Sequence, residues 1–271
     1  MRKNIVVILA MSLIISLIAV GCGKKEEVKP EKKADSLKYI QDKGNFVLGL
    51  DDAFPPMGFR DDSGEVVGFD IDLAKEVAKR MGVELEIKPI DWDSKIFNLN
   101  NKDIDVIWNG LSITDERKEK VDFSRPYINN SQIIITNADS DIETKEQLEG
   151  KVLAVQLGSS AQDAVEADTE VNDSLKELRK FEDYTLSLMD LEAGNVDAVV
   201  IDEIVGRYYI AKKPELYKVA TDDFGKEEYG IGFRKDDTEF VGAVDKALEE
   251  MIADGTAKTI SEKWFGENIM K

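Results

Sequence analysis

Two residue types that build many enzyme active sites are nearly missing from this chain of 271 residues. There is no histidine, so Ser-His-Asp and Cys-His catalytic machinery and histidine-ligated metal sites are excluded. There is one cysteine, Cys22, so intramolecular disulfides, Cys-x-x-Cys redox pairs and thiolate zinc clusters are excluded as well. An enzyme made from this chain would have to use carboxylates, lysine or hydroxyls. We expect no metal and no cofactor.

Positive charge is also scarce. The chain has 36 Lys and Arg against 55 Asp and Glu, a net charge of −19. Binding to nucleic acid requires clustered Lys and Arg, and binding to anionic lipid requires a basic surface, so both are disfavoured. Hydrophobic residues make up 42% of the chain, enough for one large or two ordinary domains with real cores.

The N-terminus combines a positive start with an apolar run. Arg2 and Lys3 precede residues 5–20, which are apolar apart from two serines, and small residues lead to Cys22. This pattern predicts a signal peptide over 1–21. The site resembles the bacterial lipoprotein processing box, in which the cysteine is lipidated and becomes the mature N-terminus, although Ala19 stands where that box usually has Leu. The alternative is a plain transmembrane anchor, because the run approaches spanning length.

The segment that follows, 22–35, is rich in charge and has one large apolar residue, Val28. It cannot bury a core, which predicts a disordered tether. No second hydrophobic stretch approaches a span, so we expect the rest of the chain to be soluble and outside the cytoplasm, lipid-anchored to the outer face of the membrane.

From Asn45 onward, strand-like and helix-like runs alternate, which predicts an α/β fold. A helix is expected to begin with Asp70 as its cap and to end at Gly82. The other predicted helices are 161–167, 241–253 and 257–264. The predicted strands are 46–50, 83–87, 104–107, 132–136, 152–156, 198–201 and 230–233.

One stretch has the pattern of a strand that leads into an anion-binding turn. Asn109 and Gly110 are expected to end a buried strand, and Thr114 to cap the following helix. Ser112 offers a hydroxyl, and Arg117 projects a guanidinium that matches a carboxylate bidentately. Helix N-terminal N–H groups favour anions too. The alternative is a capped helix with a solvated arginine.

This pattern has a weak internal repeat. Leu99–Gly110 aligns with Leu191–Asp202, and in this register Gly110 and Asp202 are equivalent. Two copies of one βα unit predict two similar lobes, each with a polar residue at the carboxyl end of a strand, where ligands bind in open α/β sheets. A second turn, Gly158–Ser160, is either anion-binding or an ordinary helix cap.

Six motifs, in order along the chain, resemble the polar amino-acid solute-binding proteins of ABC importers, the family 3 extracellular solute-binding proteins. The resemblance covers residues from about 36 to 266. The motifs are Gly68–Ala74, Ile104–Arg117, Val121–Tyr127, Leu148–Ala161, Asp197–Asp202 and Asp254–Gly266.

The resemblance implies a two-lobed periplasmic binding protein type II fold, a Venus flytrap, with two crossings between lobes. Lobe 1 would be 36–131 plus 230–271, and lobe 2 would be 132–229. The crossings would lie near 130–135 and 229–233.

The resemblance also implies roles at a ligand site. Arg117 would hold the α-carboxylate of an amino acid bidentately. Ser112 would contribute its N–H and hydroxyl, and Ser160, with Ser159 and Gly158, would contribute N–H groups from the other lobe.

The remaining implied roles concern the ammonium and the side chain of the ligand. Asp202 and the Gly110 carbonyl would accept the α-ammonium, and Phe54 would lie over the ligand. Three residues would face its side chain: Asp51, Trp92 and Asn109. Roles for Asp91, Asp93 and Trp108 stay open, with Trp108 placed more readily in the core. Asp51 would disfavour a ligand with an acidic side chain and would slightly favour one with a cationic side chain.

The implied function is a receptor that delivers a free polar amino acid to an ABC permease. Two alternatives remain. One is an enzyme on the same fold, a carboxylate-based dehydratase or lyase using Asp51 or Asp202. The other is a sensor ectodomain, which normally continues into a transmembrane segment.

Overall fold

The computed structural model describes residues 35–271. The strands are β1 (Asn45–Leu50), β2 (Ala53–Phe54), β3 (Gly58–Arg60), β4 (Val66–Val67), β5 (Glu84–Pro89), β6 (Val106–Ser112), β7 (Asp122–Phe123), β8 (Ile128–Asn137), β9 (Val152–Gln156), β10 (Glu177–Phe181), β11 (Ala198–Asp202) and β12 (Tyr217–Phe233). The helices are α1 (Ser36–Lys43), α2 (Phe69–Met81), α3 (Lys95–Asn100), α4 (Asp115–Lys120), α5 (Ser160–Ala167), α6 (Thr169–Ser174), α7 (Tyr184–Glu192), α8 (Glu203–Lys212), α9 (Thr238–Ala253) and α10 (Thr256–Phe265). Short 3₁₀ helices lie at Trp92–Ser94 and Lys145–Leu148.

The signal peptide, Cys22 and all of the tether except Asp35 lie outside these described residues. None of the helices between residues 35 and 271 has the length and apolar character that a membrane span requires.

A mixed sheet organises the described residues. Its strand order is β10-β9-β11-β8-β12-β6-β1-β5, with β7 paired to β12. On one flank β1 runs parallel to β5 and β6, and on the other β9 runs parallel to β10 and β11. The antiparallel pair β8 and β12 joins the two flanks. The sheet therefore has two parallel halves linked by two long strands.

Strand β12 is much longer than the sequence predicted. It pairs with β8 first at Tyr217–Val219 and again at Lys226–Tyr229, with register shifts between. From Tyr229 it pairs with β6. Residues 217–229 carry many charged side chains and lack an apolar run, so only the apolar end of this strand is visible in the sequence.

Two local predictions are wrong. Strand β6 does not end at Asn109 and Gly110, because its pairing with β12 continues to Ser112. Asp70 does not cap α2, since Gly68 holds that position. Asp70 is fully buried instead, where its carboxylate accepts hydrogen bonds from Gly110 N (2.8 Å) and Tyr127 Oη (2.9 Å). The carboxylate thus supports the strand that carries the candidate site.

The internal repeat corresponds to a repeated contact. The Asp105 carboxylate accepts a hydrogen bond from Val47 N at 2.9 Å, and the Asp197 carboxylate accepts one from Val152 N at 2.8 Å. Val47 belongs to β1 and Val152 begins β9. Each aspartate directly precedes its own strand, β6 or β11. Its hydrogen bond links the start of that strand to the neighbouring parallel strand.

The two aspartates should contribute unequally to stability. Asp105 is buried and forms ion pairs with Lys43 (2.6 Å) and Arg234 (3.1 Å). Asp105→Ala removes the carboxylate paired with Lys43 and leaves Arg234 with Asp237 alone, and it should lower the free energy of unfolding by about 3–5 kcal/mol. Asp197 is half-buried and forms no ion pair among the described residues. Asp197→Ala should therefore lower the free energy of unfolding by about 1–2 kcal/mol. Urea unfolding measures both, and equal losses would contradict this account.

Candidate functional site

Four strands of the sheet end in polar residues at one edge. Asp51 follows β1 and Ser112 ends β6 on one half, while Gln156 ends β9 and Asp202 ends β11 on the other. The carboxyl ends of parallel strands are where open α/β sheets bind ligands. Hydrogen bonds connect the halves here: Gln156 Nε2 donates to Asp51 Oδ2 at 2.7 Å, and Ser160 Oγ donates to Ser112 Oγ at 2.9 Å. The two halves are therefore in contact across this edge.

Arg117 is buried at this edge, in the first turn of α4. Thr114 caps the helix by accepting a hydrogen bond from Arg117 N at 3.2 Å, as the sequence predicted. The guanidinium is not solvated: the residue is 5% exposed, and it donates to the carbonyls of Ser112 (3.0 Å) and Gly158 (3.2 Å). Burial lowers the pKa of Arg117. Two of its five N–H donors are used in these bonds, which leaves capacity for a carboxylate.

The two serines at the start of α5 have different hydrogen-bond partners. Ser159 caps the helix: its hydroxyl accepts from Gln162 N (3.1 Å) and donates to the Gln156 carbonyl (2.7 Å). Its N–H donates to the same carbonyl at 3.2 Å. Ser160 is the first residue of α5, so its N–H has no partner within the helix. The hydroxyl of Ser160 meets that of Ser112, so this serine faces the edge.

Gly158 lies close to residues of the other half. Its φ is +71°, and a Cβ there would lie 2.8 Å from the Asp93 Cα, so glycine is required. Its carbonyl accepts from Arg117 and from Lys95 Nζ (2.8 Å), while its N–H donates to Gln162 at 2.9 Å. Lys95 is buried, and burial, followed by the charge of Arg117, lowers its pKa to about 7. Nothing in the sequence indicated this lysine.

Asp202 is buried at the end of β11 and accepts hydrogen bonds from four side chains. Asn130 Nδ2 donates at 2.6 Å and Gln132 Nε2 at 2.9 Å, both from β8. Tyr229 Oη donates at 2.7 Å from β12, and Tyr184 Oη at 3.3 Å from α7. All four donors are neutral, so among the described residues this carboxylate has no cation within hydrogen-bond distance.

A second carboxylate, Glu227, lies beside Asp202. Its Oε2 accepts from Gln132 (2.9 Å) and Asn130 (3.3 Å), the same amides that donate to Asp202. It also accepts from the Ser112 hydroxyl at 2.6 Å. Burial, and next the charge of Glu227, raise the pKa of Asp202 to about 7.

Sequence reasoning missed these surrounding residues. Asn130 and Gln132 alternate on β8, and Glu227 and Tyr229 alternate on β12, so each pair lies on one face of its strand. Polar residues at every second position in the two crossing strands were the sequence signal that could have identified them. Tyr184, the first residue of α7, had none.

Asp51 and Trp92 line a separate part of the edge. Both are buried, and burial raises the pKa of Asp51 to about 6. They border a cavity of about 190 Å³ whose wall is strongly acidic. Its charged residues are Asp51, Asp52, Asp91, Glu182 and Asp183. No basic residue is in the wall among the described residues, which favours a cationic group.

The sequence also assigned Phe54, Gly110 and Asn109 to the site. The ring of Phe54 is 5.9 Å from that of Tyr184. A Cβ at Gly110, where φ is +58°, would lie 2.7 Å from the Phe54 ring. Asn109 is buried, and neither polar atom of its side chain has a hydrogen-bond partner within residues 35–271. Buried polar atoms are normally satisfied, so Asn109 is suited to a bound polar group.

The three residues whose roles were left open lie in different surroundings. Trp108 is fully buried, with its ring 6.5 Å from Tyr127, so it belongs to the core. Asp91 and Asp93 are exposed, and Asp91 borders the acidic cavity. Within residues 35–271, no group of three or more Asp, Glu, Cys or His could hold a metal ion.

Comparison with known proteins gives consistent matches over nearly the whole chain. The profile of the bacterial extracellular solute-binding proteins, family 3, matches residues 46–267. The L-cystine-binding protein TcyJ of Escherichia coli (strain K12) is 32% identical over 265 residues, covering 97% of this chain and 98% of that protein. The arginine-binding extracellular protein ArtP of Bacillus subtilis (strain 168) is 30% identical, covering 98% of each.

A solved structure matches the fold. The substrate-binding protein of an ABC uptake transporter from Streptococcus pneumoniae, with bound histidine, superposes with a TM-score of 0.85 at 37% identity, covering 88% of this chain and 99% of that one. This match confirms the predicted two-lobed α/β fold. The three relatives are named as binding proteins, so they do not support the enzymatic alternative. The chain belongs to the bacterial extracellular solute-binding proteins of family 3.

Proposed function

We propose that this protein is an extracytoplasmic receptor that binds a free polar amino acid between its lobes and delivers it to the permease of an ABC importer. The placement of two buried, opposite charges carries the proposal. Arg117 follows β6 in one half, and Asp202 ends β11 in the other. A free amino acid has a carboxylate and an ammonium at fixed separation, so it satisfies both only when the halves are together.

The lobe boundaries that fit this proposal follow the crossing strands. Lobe 1 is 36–131 plus 230–271, and lobe 2 is 132–229. The changes of lobe fall near the start of β8 and within β12, the two strands that link the halves of the sheet. Opening would then require only small backbone rotations in these two strands.

The ligand contacts follow from the two charges. Arg117 would bind the α-carboxylate, together with the N–H groups of Ser112 and Ser160. Asp202, the Ser112 hydroxyl and the Gly110 carbonyl would accept the α-ammonium. Since Gly158 and Ser159 N–H have partners in their own turn, these residues would act by shaping the turn rather than by donating to the ligand.

The side chain of the ligand would enter the acidic cavity beside Asp51 and Trp92. Five carboxylates border it, which favours a cationic side chain and disfavours an acidic one. The relatives named for arginine and bound to histidine are compatible with this preference.

The anchoring of the receptor is a further part of the proposal. The lone cysteine, Cys22, follows a small-residue processing site, so we propose cleavage after residue 21 and lipidation, including palmitate, at Cys22. The segment to residue 35 would then tether the binding domain to the membrane.

The carboxylate partner is tested by changing Arg117. Arg117→Ala leaves a desolvated ligand carboxylate unpaired, a loss expected at about 3–5 kcal/mol, or roughly 10²- to 10⁴-fold in affinity. Arg117→Lys should recover only part, because an ammonium cannot reproduce the planar fork. Thermal-shift screening of all amino acids, L-arginine, L-histidine and L-cystine included, identifies the ligand, and calorimetry then measures the variants.

The matched control is Lys118→Ala, one residue further on the same helix. Lys118 is exposed and pairs only with Asp115 at 3.0 Å among the described residues. Its removal should leave affinity unchanged. If Arg117→Ala also stays within about threefold of the wild type, the assigned site is wrong.

The preference for a cationic side chain is tested with L-arginine and L-citrulline, which differ in charge but little in shape. The wild type should prefer L-arginine, and Asp51→Asn should reduce that preference by about tenfold. The pKa of Asp51 is about 6, so the carboxylate is charged above that pH and the wild-type preference should weaken below it. Equal preference in both proteins at neutral pH would refute the role of Asp51.

The anchor is tested by fractionation of cells that produce Cys22→Ser. Without the thiol, no thioether-linked lipid can form, so the protein should leave the membrane fraction or stay unprocessed. Normal cleavage with unchanged membrane retention would contradict the lipoprotein assignment.

A further inference from the structure

Glu227 has contacts that the proposed ligand roles do not use. It lies on the face of β12 that also carries Tyr229, whose hydroxyl reaches Asp202. Its Oε2 lies within hydrogen-bond distance of groups from three other elements: Ser112 Oγ on β6 (2.6 Å), Ser160 Oγ on α5 (3.2 Å) and Gln132 Nε2 on β8 (2.9 Å). The carboxylate therefore lies where both halves and one crossing strand meet.

These contacts fix the direction of the Ser112 hydroxyl. A serine hydroxyl has one proton and two lone pairs. The proton of Ser112 goes to Glu227 at 2.6 Å, and the single proton of Ser160 goes to its nearer acceptor, Ser112 Oγ at 2.9 Å, rather than to Glu227 at 3.2 Å, so one lone pair of Ser112 is occupied. The second lone pair of Ser112 Oγ is then free to accept a hydrogen bond. At this position the hydroxyl acts as an acceptor, which suits an amine.

Glu227 also sets the charge at this end of the cleft. It shares the Asn130 and Gln132 amides with Asp202, so two carboxylates face one small volume. The charge of Arg117 lowers the pKa of Asp202, but Arg117 also has a ligand carboxylate to bind. A positively charged ligand group relieves the repulsion between the two carboxylates, and a neutral group does not.

We propose that Glu227 is a specificity-determining residue that makes the ammonium end of the cleft select a positively charged amine, by orienting the Ser112 hydroxyl and adding a second negative charge beside Asp202. This inference rests on the proposed amino-acid function and names a determinant of it. An amino acid is then favoured over the α-hydroxy acid with the same side chain.

Ligand affinity should depend on pH through Asp202. Among the described residues, the titratable and charged groups that face Asp202 are Glu227 and Tyr229 from β12, Tyr184 from α7 and Arg117 from α4. The pKa of Asp202 is about 7 without ligand, and a bound ammonium lowers it. Below that pH the ammonium must displace a proton, so affinity should fall by up to about tenfold per pH unit.

The test compares Glu227→Gln with the wild type. Glutamine keeps an acceptor oxygen for Ser112 but removes the charge that raises the pKa of Asp202. The matched control is Glu228→Gln on the same strand, whose side chain pairs with Lys271 rather than with the site. Calorimetry from about pH 5.5 to pH 8 covers the titration of Asp202. The probes are L-arginine, L-histidine, L-cystine and L-glutamine, each compared with its α-hydroxy acid where one exists.

The expected results differ from those of a structural role. Near pH 8, Glu227→Gln should bind the amino acid about tenfold more weakly and should discriminate less against the α-hydroxy acid. In Glu227→Gln the fall in affinity should begin at lower pH than in the wild type. The difference in affinity between the two proteins should therefore become smaller at acidic pH. The Glu228→Gln protein should match the wild type throughout.

Two outcomes would overturn the role of Glu227 alone: unchanged affinity and pH profile, or a loss that is the same at every pH and for both ligand classes. Failure of the wild type to bind any amino acid in the thermal-shift screen would instead overturn the proposed function, and this inference with it.

Discussion

The structure depends on two buried charges of opposite sign that do not pair with each other. Arg117 donates to two carbonyls, and its nearest described carboxylate, on Asp163, is 4.0 Å away. Asp202 accepts from amides and phenols. Burying a charge without an ionic partner is expensive unless hydrogen bonds surround it, and each of these groups has several. Such an arrangement is suited to binding a zwitterion, because a zwitterion supplies both missing ionic partners at once.

The sheet topology explains why the two charges come from different halves. Arg117 follows β6 and Asp202 ends β11, and each of these strands has a parallel neighbour in its own half. The antiparallel strands β8 and β12 link the two halves of the sheet. Polar side chains of these strands contact Asp202. Glu227, on one of the two strands, has hydrogen-bond partners in both halves of the sheet.

The sequence predicted what depends on local pattern. Thr114 and Arg117 were recognised because a cap and a first-turn arginine are close in the chain, and Asp202 because it ends an apolar run that repeats an earlier one. Glu227 and Lys95 were missed because their partners lie far along the chain: Glu227 reaches Ser112 and Ser160, and Lys95 reaches the carbonyl of Gly158. The polar half of β12 was missed for a related reason: its pairing with β8, rather than apolar alternation, makes it a strand.

The central claim is that one amino acid holds both lobes together through its two charges. Small-angle X-ray scattering tests this most directly, on protein with and without a saturating amount of the amino acid that gives the largest thermal shift. The account predicts a smaller radius of gyration with ligand in the wild type and no such change in Asp202→Asn at the same ligand concentration. Identical scattering profiles for the wild type with and without saturating ligand would contradict it.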